Sequence, residues 1–228
     1  MTPAPHRRLS RERVLAGAVR LADTHGLPAV TMRRLAADLG VEAMSLYHHV
    51  PSKDALLDGL VEAVVGEVQA EVAASGEPEG WRARLRDRCL SARRVMLRHP
   101  WAPALISSRP SVPPTAYLHY EAILTTLVDG GFSYHLAHRA LHALGSMALG
   151  FVQEVFSPVP SADAPGTDPG AADLARMADA LPHLVAMAES EAHDAGDPVL
   201  GWCDSQAEFE FTLDLLLDGL DRARVLTT

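Results

Sequence analysis

Aromatic residues are scarce, Phe, Trp and Tyr together making up 5% of the 228 residues, and runs of β-branched residues are few. Sheet cores lean on those side chains, so their shortage argues against an all-β fold, whereas an apolar content of 48% dominated by Ala and Leu favours an all-α core. Cysteine is nearly absent. Cys89 and Cys203 stand far apart in no paired motif, which excludes a disulfide framework or a zinc cage and fits a reducing cytoplasm. No run of about 18 apolar residues occurs, and the opening "MTPAPHRRLSRERVL" has no apolar core of signal-peptide length, so a soluble cytoplasmic protein without a membrane partner is expected. The sequence also lacks a Gly-rich phosphate loop, a Gly-x-Ser-x-Gly elbow, HExxH and CxxC. Neither enzymatic activity nor a cofactor is expected.

Net charge is −9, which taken alone argues against a nucleic-acid partner. The distribution reverses this. Residues 1–54 hold eight Lys or Arg against five acids, a net +3, leaving −12 for the remainder. A basic head on an acidic body is the footprint of a protein that meets a polyanion with one end only.

In "SRERVLAGAVRLADTHG" Val14, Ala18, Leu21 and Ala22 share one face, with Ser10 as N-cap and Gly26 as stop. Thr31 caps "MRRLAADLG", whose Leu35, Ala36 and Leu39 face inward and whose Gly40 ends it. "MSLYHHV" follows with Leu46 and Val50 inward, closed by Pro51, and Ser52 opens the long helix "KDALLDGLVEAVVGEVQAEVAA". "SGEPEG" at 75–80 reads as a linker. Beyond it, helices are expected near 81–98, 101–107, 112–130, 133–156, 171–194 and 204–224, with the Pro- and Gly-rich stretch 157–170 a mobile loop. The domains expected are therefore 1–54, a helix-turn-helix head that includes the start of a connecting helix at about 52–74, and a helical body from 75 to 228.

Two short helices joined by a tight Gly-containing turn, with a third packed across them, constitute a helix-turn-helix, whose second short helix enters the major groove. That explains the outward rings of Tyr47, His48 and His49. Tyr47 can donate to a phosphate, the histidines can contact backbone or base edges, and Lys53 adds charge at a helix N-terminus.

The run "VTMRRLAADLGVEAMSLYHHVPSKDALLDGL" resembles the DNA-binding head of the TetR family of transcriptional repressors. The resemblance implies DNA contacts at Arg33, Ala43, Met44, Ser45, Tyr47, His48, His49 and Lys53, with Thr31 a phosphate-side cap. Ala43 and Met44 are small or apolar where relatives often carry hydrogen-bonding side chains, which shifts base readout toward Arg33, Ser45 and a thymine methyl. Downstream, "RHPWAPALISSRP" and "GGFSYHLAHRALHALGSMALGFVQE" resemble the C-terminal domain of the branch that includes the tetracycline repressors. This implies a homodimer, in which helices near 133–156 and 204–224 pair across a two-fold axis, and a pocket for a small-molecule effector faced by Arg109 and Glu154. Gln69, Arg88 and Leu105 stand where tetracycline binders carry a histidine, an asparagine and a second histidine, so tetracycline is disfavoured as inducer. The stripe Phe209, Leu213, Leu216, Leu217 and Leu220 suits a core on periodicity alone, and the resemblance turns that reading toward an interface.

His135, His138 and His142 share one helical face at a spacing that can ligate a metal, yet chance placement on a polar face is the blander account, and no metal site is assigned. The function expected is a ligand-responsive repressor that binds a palindromic operator as a homodimer. The competing expectation is a helical enzyme or small-molecule-binding protein with a vestigial head.

Overall fold

The computed structural model describes residues 8–151 apart from 77 and 111, residues 180–183 and 186, and residues 205–226. Among them there is no strand. The chain forms two compact units, one of Met1–Val152 with Leu216–Thr228 and one of Gln153–Leu215.

Local chemistry sets the helix ends in the larger unit. α1 (Arg11–His25) opens where the Ser10 hydroxyl accepts from the Arg13 N–H and stops at Gly26. α2 (Met32–Leu39) opens at Thr31 in the same way and ends at Gly40, whose φ of 67° lies in the left-handed region that a side chain would strain. α3 (Ala43–Tyr47) is shorter than the run closed by Pro51 suggested. The proline disfavours helical backbone at Val50, so residues 48–50 leave the helix as a turn, with both the His49 and Val50 N–H groups on the Leu46 carbonyl. α4 (Lys53–Ala74) starts on the Ser52 cap, and α5 (Gly80–Arg98), α6 (Ala102–Ser108), α7 (Pro114–Asp129) and α8 (Tyr134–Gly150) follow. The last helix, α9 (Ser205–Leu226), passes from the smaller unit into the larger at Leu216.

The head core is one apolar cluster in which Val14, Ala18, Leu35, Leu46, Val50, Leu56 and Leu60 are fully or almost fully buried. Burying a Leu or Val completely stabilises by about 1.5–3 kcal/mol, so this cluster holds α1 to α3 onto the N-terminal half of α4. The approach is close. A Cβ built on Gly59 of α4 would lie 2.4 Å from Leu15 Cδ2 of α1. Farther along α4, Val64 and Val68 join Val95, Met96 and Ala102 in a second cluster, so the same helix is shared by head and body.

Of the expected stripe on α9, Phe209, Leu213 and Leu217 are buried, whereas Leu216 and Leu220 are half-buried. In the larger unit Arg224 lies over the rings of Trp81 and Phe132 and donates to the Gly130 carbonyl at 2.9 Å. The loop expected at 157–170, most of the helix expected near 171–194 and Cys203 lie outside the described residues. Among the described residues no helix is long and apolar enough to cross a membrane.

Candidate nucleic-acid interface and effector cavities

The turn between α2 and α3 is tight because Gly40 turns left-handed and the Val41 N–H returns to the Ala36 carbonyl at 3.0 Å. Burying Leu46 completely then fixes how α3 is rolled on the head. Consequently Met44 at 69% exposure and Tyr47 at 42% look outward beside His48, with Ser45, Ala43 and His49 half-buried at their flanks. Arg33 of α2 is exposed on the neighbouring helix, while the Thr31 hydroxyl is occupied in capping the Arg34 N–H at 3.2 Å. Lys53 opens α4 and its ammonium donates to the Val30 carbonyl, which leaves two of its three donors for other partners. Its partial burial there lowers its pKa. The expected contact residues thus occupy one end of the head, where the apolar Met44 is more exposed than Tyr47.

Two cavities flank α4 in the body. The larger, of about 660 Å³, lies among α4, α5 and α7 and is lined by Gln69, Arg84, Asp87, Arg88, Glu121 and Thr125 among others. The smaller, of about 170 Å³, is walled by Val61, Val65, Met96, Ile106 and Leu149, with His119 at its edge. Gln69 and Arg88 therefore come together in one cavity. Arg109 borders the other, but its guanidinium is already committed, with Nε on Asp58 Oδ1 at 2.8 Å and Nη1 on Asp54 Oδ1 at 3.4 Å, and its side chain is 11% exposed. Leu105 lines neither: it is 2% exposed and packs in the head cluster. Glu154 lies outside the described residues.

Arg88, which lines the larger cavity, places Nη1 3.5 Å from Nδ1 of His119, which lines the smaller. Burial, and then the Arg88 charge, push the His119 imidazole down to about 4, so the ring is neutral near pH 7. Burial also lowers the Arg88 pKa, against a smaller opposing pull from Cys89 and Asp87.

A second polar cluster had no sequence signal, because its members lie far apart in the chain. His99, at the end of α5, is 6% exposed and places Nδ1 2.7 Å from Asp23 Oδ1 of α1 and Nε2 3.1 Å from Glu67 Oε2 of α4. The Trp101 indole N–H donates to the same Asp23 oxygen at 2.7 Å. Burial works against the His99 charge, but the hydrogen bonds and charges of Asp23 and Glu67 outweigh it and raise the pKa. On α8, His138 and His142 are exposed with ring centroids 4.6 Å apart, and among the described residues no three His, Cys, Asp or Glu are grouped to hold a metal.

Comparison with known proteins bears on both ends of the chain. The profile described as bacterial regulatory proteins, tetR family, matches residues 14–60, and that of the tetracyclin repressor-like C-terminal domain matches residues 75–224. An HTH-type transcriptional regulator of Saccharopolyspora erythraea is 36% identical over 144 residues, 63% of this chain, and the chain spans 60% of that relative's length. The class C tetracycline repressor protein of Escherichia coli is 31% identical over 221 residues, 96% of this chain and 94% of that protein. Among solved structures, apo ActR from Streptomyces coelicolor matches with a TM-score of 0.72 at 26% identity over 100% of both chains. ActR in complex with actinorhodin matches with a TM-score of 0.70 at 28% identity, over 96% of this chain and 99% of that one. With a capped helix-turn-helix under one matching profile and a cavity-bearing helical body under the other, the chain belongs to the TetR family of bacterial regulatory proteins.

Proposed function

We propose that this protein is a ligand-responsive transcriptional repressor that binds a palindromic operator as a homodimer and is released from it by a small-molecule effector. The functional division proposed is a DNA-binding head over residues 1–54, continuing into the connecting helix, and an effector-binding and dimerisation body over 75–228. The observation that carries the reading is the sharing of α4. Its N-terminal end is seated in the head core through Leu56 and Leu60. Its later residues wall both cavities, Gln69 the larger and Val61, Val65 and Val68 the smaller.

Thr31, Arg33, Ala43, Met44, Ser45, Tyr47, His48, His49 and Lys53 would then form the DNA-contacting end, and two such heads must stand about 34–36 Å apart to enter successive major grooves. An effector that prefers a body with α4 displaced lowers operator affinity by its differential affinity for the two arrangements. The tetracycline repressor proteins and the ActR–actinorhodin complex among the matches support a small-molecule effector. Gln69 and Arg88 in the larger cavity, and Arg109 at the smaller, are the proposed effector-side residues.

Selection of genomic fragments by gel shift at about 0.15 M salt tests the reading, since only a regulator retains particular sequences against excess competitor under those conditions. Tyr47→Phe should weaken every retained site by a similar factor, as loss of a phosphate contact does. Retention without sequence preference would sink the proposal and return the head to a vestigial role.

A further inference from the structure

The cavity walls say something about what the effector must carry. Arg88 is half-buried on α5, and among the described residues its hydrogen-bond partner is a single ring nitrogen, His119 Nδ1, at the long distance of 3.5 Å. A guanidinium presents five N–H donors and is costly to bury unless they are met. The acids on the same wall do not meet them. Asp87 receives the Ser75 hydroxyl at 2.6 Å, and Glu121 is exposed. Arg109, bordering the other cavity, has two carboxylates of its own.

The partner nitrogen is informative too. Arg88 can only donate, so Nδ1 accepts and the imidazole proton sits on Nε2. That makes a second donor on a ring that lines the apolar cavity of Val61, Val65, Met96, Ile106 and Leu149. A cation that lines the larger cavity, with donors beyond the His119 bond still open to it, therefore stands beside a neutral donor that lines an aliphatic chamber of about 170 Å³.

We propose that Arg88, with His119 beside it, anchors the anionic oxygen of an effector whose remaining bulk is apolar, a small carboxylate- or phenolate-bearing ring compound. This rests on the reading of the body as an effector domain. The anion replaces weak contacts of the half-exposed guanidinium with charge-assisted hydrogen bonds, and the ring system fills the aliphatic chamber.

The test is calorimetric titration of the full-length protein with naphthoate, naphthamide and methylnaphthalene, which share a ring system and differ in the group offered to Arg88. The wild type is expected to bind naphthoate at least about tenfold more tightly than methylnaphthalene, the worth of one charge-assisted hydrogen bond. Arg88→Ala should abolish that preference while leaving methylnaphthalene affinity within about twofold. Arg88→Met, which keeps the apolar stem, gives the same readout should the alanine variant fold poorly. Equal affinity for all three probes, no naphthoate binding, or an Arg88→Ala effect shared by all three would overturn the anchor. Running the same probes against operator-bound protein separates the two ideas. Naphthoate binding through Arg88 without DNA release supports the anchor and sinks the regulatory coupling, whereas release by methylnaphthalene alone keeps the coupling and removes the anchor.

Discussion

Replacing His99 by alanine should destabilise the protein in a pH-dependent way whose sign is set by the two carboxylates facing the ring. Protonated His99 holds Asp23 at 2.7 Å with a side chain 7% exposed, and a buried charge-assisted bond of this kind contributes about 2 kcal/mol. The Glu67 bond at 3.1 Å counts for less, because Glu67 is 41% exposed and also meets Arg98, so a surface value of up to about 1 kcal/mol applies. His99→Ala should therefore cost about 3 kcal/mol in acid. The folded pKa is raised, so the contribution is complete below the unfolded value of about 6.5 and is lost as pH rises through the folded value. His119 titrates the other way. Its depressed pKa contributes stability above about 6.5 that is lost as pH falls toward about 4, but both proteins carry it and it cancels in the difference. Urea unfolding followed by far-ultraviolet circular dichroism, at one protein concentration, should give a larger wild-type minus His99→Ala difference at about pH 5.5 than at about pH 9. An equal or larger difference at the alkaline pH would refute the reasoning.

Three other outcomes are expected. Gly130→Ala would set a Cβ 2.7 Å from Trp81 Cβ, next to the backbone and unable to yield, and should lower stability by about 1–3 kcal/mol in the same unfolding assay. Lys53→Ala should reduce the salt slope of operator binding by about one unit if its remaining donors reach a phosphate, and an unchanged slope would leave it only its bond to the Val30 carbonyl. Leu216→Glu, on the half-buried side of α9, should yield monomers by light scattering with lost operator affinity, and a soluble dimeric variant would move the interface elsewhere.

What could be read from the sequence was local. Ser10, Thr31 and Ser52 each accept from the N–H three residues on, and a hydroxyl before an apolar-periodic run is visible in a string of letters. The inward positions of Leu35 and Leu46 follow from helical period alone. The early end of α3 was harder, since the steric reach of Pro51 over Val50 competes with the continuing pattern of apolar residues. Cavity membership was not legible, because it depends on which helices meet. Leu105 turns into the head core, Arg109 turns to the acids on α4, and His119, a lone histidine in a stretch with no motif, becomes the neighbour of Arg88 across 31 residues of chain. The Asp23–His99 contact spans 76 residues and has no sequence signature at all.

The seat of α1 against Gly59 also bears on how such a protein diverges. Alanine at that position would be admitted only if the Leu15 side chain gave way, and a larger side chain would press further into the same space. On the proposed reading, a lineage acquiring a new operator can therefore redraw the outward letters at Arg33 or Met44 one at a time, each a surface change with little structural cost. Tilting the whole reading head is a different matter. It asks for matched replacement at positions 15 and 59, a large side chain traded for a small one across the contact. Operator preference is thus free to drift while the angle at which the head is presented is inherited as a unit.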